Sequence, residues 1–207
     1  QPQLATDWKI DTDKLSVVFN LRKNVPFQKD GGTFGAKDVV FSMTELVKAD
    51  SQHAQAPYWR KILRGVKALS DDQVQVDLAE PDGGFLRAIS EAESTIEIKS
   101  KDFYEKFGEG NMQTQPVAGT GPYQYQSRQQ AQYIRYERTP YKHWSVTPDF
   151  PEFEFRFMKE ASTRMASLLT SEVHVASLPQ DLLGQAEKQG MKVVQGRVPA
   201  LRTYFLP

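Results

Sequence analysis

Cysteine is absent from the 207 residues, which excludes disulfides, thiolate-bound zinc, iron–sulfur clusters and a cysteine nucleophile together. An excess of either charge is missing too: 26 Lys and Arg stand against 26 Asp and Glu. That balance removes the default reason to expect a nucleic-acid partner, whose footprint is a basic surplus. No apolar run approaches the roughly 20 residues that span a bilayer, so no membrane insertion of this segment is expected. A leader segment and an initial Met are also lacking, which reads as numbering that starts inside a longer or processed product. What is present suits a folded chain. With 39% hydrophobic residues it is too apolar for disorder, and its length is a prior for one or two domains.

Periodicity places the elements. Trp8–Asp11 and Leu15–Leu21 predict two strands around an Asp-Thr-Asp-Lys turn, with Val17, Phe19 and Leu21 alternating against Ser16, Val18 and Asn20. Val25–Phe27 is a short extended piece closed by Lys29-Asp30-Gly31-Gly32. Val39, Val40, Met43, Leu46 and Val47 share one 3.6-residue stripe, a helix with Asp38 in its first turn and Lys48 in its last. A second helix spans Pro57–Leu63, and Val66–Leu69 pairs with Val74–Leu78 about a Ser-Asp-Asp turn. Gly83-Gly84 precede a helix carrying Phe85, Leu86, Ile89 and Ala92. Ile96–Ile98 reads as a strand, and Phe103, Tyr104 and Phe107 mark a helix ended by Gly108. Residues 108–120, rich in Gly, Asn, Gln and Pro, are expected to link two sub-domains that divide near residue 117.

Beyond that linker, Tyr123–Tyr125 and Tyr133–Tyr136 form a hairpin pattern, and Glu152–Phe157 alternates strictly as a strand. A helix covers 161–170 with Met165, Leu168 and Leu169 inward, and Val173–Ala176 is a strand. A further helix runs through Leu182, Leu183 and Ala186 to near Gly190, and strands follow at Val193-Val194 and Tyr204–Leu206. Strands interspersed with helices throughout argue for an α/β or mixed α+β fold.

Patterns for chemistry are sparse. His53, His143 and His174 lie far apart and in no ligand spacing, so no metal and no cofactor are expected. His53 reads as a surface residue of a polar loop, and His174 as an ordinary hydrogen-bonded histidine. His143, beside Trp144, is the one histidine kept as a ligand contact. Gly119-Thr120-Gly121 suggests a phosphate loop, but no Lys-Ser/Thr follows and Pro122 lacks the N–H an anion cradle would use. A fixed turn accounts for it better. No Gly-x-Ser-x-Gly elbow occurs, no catalytic residue is assigned, and Glu91 with Glu93 reads as a solvated pair. Tyr123, Tyr125, Tyr133, Tyr136, Tyr141 and Trp144 crowd one third of the chain. Such a group suits either a ligand pocket or ordinary sheet packing, and both readings stay open here.

Several segments then follow one another in a fixed order: Leu4-Ala5-Thr6-Asp7-Trp8, Phe19 to Phe27, Asp30-Gly31 and Ala36-Lys37-Asp38-Val39-Val40-Phe41-Ser42. Val117 to Tyr123 with its Gly-Thr-Gly-Pro core, Arg138-Thr139-Pro140-Tyr141, and Arg164 to Ala176 continue the series. Together they resemble the family 5 extracellular solute-binding proteins, the periplasmic binding components for oligopeptides, dipeptides and nickel in ABC importers. Two positions depart from the family pattern: Ser171 stands where it has Gly, and His174 where it has Asp.

The resemblance implies a periplasmic-binding-protein-like class II two-lobed fold, present only in part. Residues 1–117 would be a family-specific additional sub-domain of lobe one, residues 118–207 part of its core, and the second lobe would be absent. It further implies a periplasmic, monomeric carrier (extracytoplasmic and lipid-anchored in a Gram-positive source) with no enzymatic step. Such a carrier captures peptide or a similar small solute between its lobes and delivers it to the membrane subunits of an ABC permease. Candidate ligand contacts are Glu93 and Ser94, which follow the helix that relatives place beside the crevice, with Tyr123, Tyr141 and Trp144. Residues 1–207 alone are expected to bind peptide weakly or not at all, because the groups anchoring a peptide's charged ends lie in relatives largely on the other lobe. The same module also occurs as the ligand sensor of some transcription regulators. A secretory signal upstream would mark the carrier, and a helix-turn-helix the regulator.

Overall fold

The computed structural model describes residues 3–90, 96–112 and 118–194. The chain forms two compact units, Gln1–Arg128 with Ile134–Glu154, and Gln129–Tyr133 with Phe155–Pro207. The first is built on four antiparallel strands, β1 (Ala5–Asp11), β2 (Ser16–Leu21), β3 (Leu63–Ser70) and β4 (Gln73–Leu78), in the order β1-β2-β4-β3. Register sets Phe19 opposite Trp8 on one side and Val74 on the other, and Val17 opposite Val76. Because side chains alternate across a strand, Val17, Phe19 and Leu21 share a face with Val74, Val76 and Leu78, and all six are buried. Helices α1 (Ala36–Val47) and α2 (Ala56–Ile62) bring Met43, Leu46, Trp59 and Ile62 into the same core. The mixed α/β class read from the sequence is the class observed.

The stripe on α1 is wetter than its sequence predicts. Val39, Val40 and Val47 are half-buried, and Asp38 and Ser42 are the covered polar positions. The Asp38 carboxylate accepts the N–H of Gly35 at 2.9 Å and that of Lys101 at 2.8 Å. It thereby caps its own helix and anchors the start of α4 (Lys101–Met112). Burial pushes the Asp38 carboxyl above the ordinary carboxylate range, against those two N–H bonds, which pull it down. Lys48 stands just past the helix, as its C-cap, rather than in the last turn.

Ile96–Ile98 forms no strand, contrary to its alternation. The Lys99 N–H donates to Ser42 Oγ at 2.8 Å and the Lys101 N–H to Asp38, so side chains of α1 hold the chain immediately after this segment. Ile96 and Ile98 pack on the core instead. The helix after Gly84 is the single turn α3 (Phe85–Ala88), and Ala92 lies outside the described residues. Gly108 takes φ of 70°, the expected break, yet α4 resumes beyond it to Met112. The linker predicted over 108–120 is therefore helical at its start, and Ala118 at its far end is buried. Contacts draw no line at residue 117: residues 118–128 stay with the first unit, for reasons given with the site below.

A second sheet has the order β5 (Tyr123–Gln129), β6 (Tyr133–Arg138), β7 (Glu152–Arg156). A tight turn closes β5 onto β6, with Ala131 at φ of 59° and the Gln132 N–H on the Gln129 carbonyl. In the second unit, α5 (Ala161–Leu169) buries Met165 and Ser167, while Leu169, expected inward, is exposed. The returning chain fixes that choice, because the Val173 N–H donates to the Ser167 carbonyl. Ser171 adopts φ of 61°, the left-handed turn that the family's Gly would take at less cost. Val173–Ala176 is irregular rather than a strand. Arg164 holds this stretch through Ser177 O at 2.7 Å, and grips Met158 O at 2.8 Å on the other side. Helix α6 (Gln180–Lys188) runs out at Gly190, φ of 82°, as its sequence predicts. Val193-Val194 is no strand, and Tyr204–Leu206 lies outside the described residues. Among the described residues no helix is long and apolar enough to cross a membrane.

One ionisable group in this core gives a direct test. The Tyr58 hydroxyl donates to Asp82 Oδ2 at 2.7 Å, and burial followed by that carboxylate raises its pKa from 10.0 to about 12. A phenol with a raised folded-state pKa contributes fully below the unfolded value of about 10, and that contribution is lost as pH climbs through about 12. Spectrophotometric titration of tyrosinate should find a late-titrating group that disappears in Tyr58→Phe. Identical alkaline titrations of the two proteins would show the pairing to be wrong.

Candidate functional site

The described candidates, Tyr123, Tyr141 and Trp144, lie on one turn and the loop beside it, all within the first unit. Gly119 to Pro122 feeds β5, and residues 139–151 join β6 to β7. The turn presents carbonyls inward. Thr120 O accepts from His143 Nε2 at 2.8 Å and from Trp144 Nε1 at 3.3 Å. His143 Nδ1 accepts the N–H groups of Ser145 and Val146, so its Nε2 carries the hydrogen and donates to Thr120. The buried His143 thus staples the loop to the turn. A turn lined by accepting carbonyls also agrees with rejecting Gly119-Thr120-Gly121 as an anion cradle.

Gln28 completes the turn from the opposite side, and sequence reasoning missed it. The residue is 4% exposed. Nε2 donates to Gly121 O at 2.8 Å and to Tyr123 O at 2.9 Å, while Oε1 accepts the Gly119 N–H at 3.3 Å. Its own N–H donates to Gly119 O at 2.9 Å. Beside it Gly31 leaves room for the chain to close in, since a Cβ there would sit 2.7 Å from the Ala118 Cβ. These contacts are why residues 118–128 belong with the first unit. No local pattern could have announced them: one Gln in a turn has no periodicity, and its partners are more than ninety residues away.

The three described candidates take different roles. Tyr123 donates its hydroxyl to Phe150 O at 2.9 Å and meets Phe153 edge-on, with ring centroids 4.6 Å apart. Trp144 packs on the core with the Arg22 guanidinium 4.7 Å from its ring centroid, a cation–π contact. Tyr141 lines an open concavity of ≈ 610 Å³, together with Glu137, Arg138, Lys142 and His143. Its hydroxyl is buried and has no hydrogen-bond partner among the described residues, and burial holds that phenol above its usual range. Glu93 and Ser94 lie outside the described residues. Tyr123 and Trp144 are thus bonded to the turn and its Gln28 clasp, and of the three only Tyr141 lines the concavity. A rim of mixed charge beside a tyrosine face can hold a small solute carrying both signs of charge. His53 and His174 are exposed and remote in sequence from this loop.

Residues 1–207 match the family described as bacterial extracellular solute-binding proteins, family 5 Middle. The dipeptide-binding protein of Escherichia coli (strain K12) is 27% identical over 99% of this chain and 41% of its own length. A dipeptide binding protein from Pseudoalteromonas sp. SM9913, solved in complex with Met-Leu, superposes with a TM-score of 0.79 at 26% identity. That match covers 90% of this chain and 40% of the other. The ABC transporter-associated periplasmic binding protein DppA from Helicobacter pylori, in complex with the peptide STSA, gives a TM-score of 0.77 at 28% identity. It covers 91% of this chain and 40% of that one. The chain thus spans about two fifths of the length of the relatives it matches. Those relatives bind solutes and are not enzymes.

Proposed function

Since the chain belongs to family 5 of the bacterial extracellular solute-binding proteins, we propose that it is part of the substrate-binding component of an ABC importer. It captures peptide or a similar small solute outside the cytoplasm, between two lobes, and delivers it to a membrane permease. The observation that carries this reading is the family match over all 207 residues. The likeness to two structures that hold peptides supports the solute class. The mechanism needs no covalent step. Ligand in the crevice favours the closed arrangement by differential affinity, and the permease reads the closed form. In this chain the Gln28-held turn and the Thr120 staples would keep the 139–151 loop in a fixed shape, so that Tyr141 meets the solute without prior ordering.

Contacts are proposed at Tyr141 first, then at Glu93, Ser94, Tyr123 and Trp144. Native mass spectrometry of the intact protein should reveal a co-purified solute, and calorimetry with di- and tripeptides should return saturable binding. Tyr141→Ala in that intact protein is expected to weaken binding by about 1–2 kcal/mol, roughly tenfold. Residues 1–207 alone should show no high-affinity binding, and micromolar binding by this stretch would contradict the need for an opposing lobe. Intact protein that purifies empty and ignores every peptide tested would remove the solute class.

A further inference from the structure

We propose that His143 is a proton-sensitive latch for the loop that bears Tyr141: the neutral ring fastens residues 139–151 to the Thr120 turn, and a proton on Nδ1 releases them. This regulation rests on the reading of the Tyr141 concavity as the solute site. Both ring nitrogens are committed. Nε2 donates to Thr120 O at 2.8 Å, while Nδ1 accepts the N–H groups of Ser145 and Val146, each at 3.2 Å. An imidazolium has two donors and no acceptor. A proton on Nδ1 would therefore point at two N–H groups, and both would lose their acceptor at once. The residue is 7% exposed, so water does not readily replace the lost partner. The proton and the fastened loop exclude one another.

The charged groups that share the concavity with His143 are Glu137 and Arg138 of β6 and Lys142 of its own loop. The turn at 119–122 carries no charge. Arg22 lies 4.7 Å from the centroid of the adjoining Trp144 ring. Glu137 is the one carboxylate among the described lining residues, and it already accepts Gln124 Nε2 at 2.9 Å and stands 3.8 Å from Lys29. Release also has a defined reach. The ends of the loop stay tied, by the Thr139 N–H on Pro122 O and the Tyr123 hydroxyl on Phe150 O. Loosening is confined to the stretch between them, which includes Tyr141, so solute affinity falls in acid while the unit stays folded.

Two variants without a titrating ring test the latch in the intact protein. His143→Asn keeps a short acceptor for the Ser145 and Val146 N–H groups, and His143→Gln keeps a longer amide donor for Thr120 O. In wild type, hydrogen-exchange protection of the Ser145 and Val146 amides, read by NMR and corrected for intrinsic rates, should fall at least ~10-fold between about pH 7.5 and pH 5, the range in which histidines ordinarily change charge. Affinity for di- and tripeptides should fall at least ~3-fold over the same range. In both variants, whatever their affinity at neutral pH, the two readouts should stay level. If one variant fails to fold, the other carries the comparison. Wild-type protection or affinity that holds constant overturns the proposal, as does an acid loss that persists in the variants. Protection that falls as expected in a protein binding no peptide at any pH would count against the carrier reading and leave the latch standing.

Discussion

Trp59→Ala is expected to destabilise the protein by about 3–5 kcal/mol, a large share of what any domain of this size has available. Trp59 is the largest fully buried side chain, with 0% exposure, and it stands edge-on to both Tyr58 and Phe85. Truncation would remove that apolar contact and open a void between α2 and α3, where helix and sheet layers meet. The indole brings a liability as well, because Nε1 is buried with no hydrogen-bond partner among the described residues. A buried unpaired N–H costs about 1–3 kcal/mol. Trp59→Phe, which deletes the N–H along with part of the ring, should therefore lose far less than Trp59→Ala. Urea unfolding of the three proteins, compared at constant m, measures both differences. Equal losses for Phe and Ala would mean that Nε1 is satisfied after all, and a loss below about 1 kcal/mol for Ala would mean the site collapses freely.

Where the sequence was readable, a single physical rule made it so. Val17, Phe19 and Leu21 opposite Val74 and Val76 announce themselves because one face of β2 and β4 is buried and the other is not. The same alternation misleads at Ile96–Ile98 and Val173–Ala176. There the chain just beyond each segment is held by Ser42 and Asp38, which accept from Lys99 and Lys101, and by Arg164, which donates to Ser177 O, side chains that no local window connects to those segments. A strand needs a partner edge as well as a pattern. Ser171 is the converse case. The motif comparison marked the position as special, and it is special in its backbone angle, with a serine bearing the strain.

The candidate site divides in the same way. Aromatic crowding left pocket and sheet packing open for Tyr123, Tyr141 and Trp144, and two of them, Tyr123 and Trp144, bond to one turn or its clasp. Composition could not say that Tyr123 and Trp144 are engaged in holding the loop while Tyr141 faces the concavity. Hydrogen-bonding capacity is spent in three dimensions. A tyrosine hydroxyl reads the same in sequence whether it meets Phe150 O or nothing.

Gln28 carries the sharpest consequence of that geometry. Gln28→Ala would leave Gly121 O, Tyr123 O and the Gly119 N–H without their partners in a covered place, and should cost about 2–4 kcal/mol. Gln28→Glu separates shape from chemistry. Ionised, it would point a carboxylate at two carbonyl oxygens; protonated, it regains one O–H donor. Its folded-state pKa must therefore rise above the unfolded value of about 4.3. The stabilisation is then fully present below that unfolded value and is lost as pH rises through the folded one. Wild-type protein carries an amide there and lacks this dependence, so the difference between the two unfolding midpoints, followed from about pH 4 to pH 7, isolates the one group. The gap should be small in acid and widen toward neutrality. A constant gap would mean the side chain had swung out to solvent. Because the same turn offers Thr120 O to His143 and Trp144, Gln28→Glu at neutral pH should also loosen the loop bearing Tyr141 and weaken the peptide binding proposed for the intact protein, recovering toward wild type in acid. Lost stability with undiminished affinity would detach the turn from the binding surface.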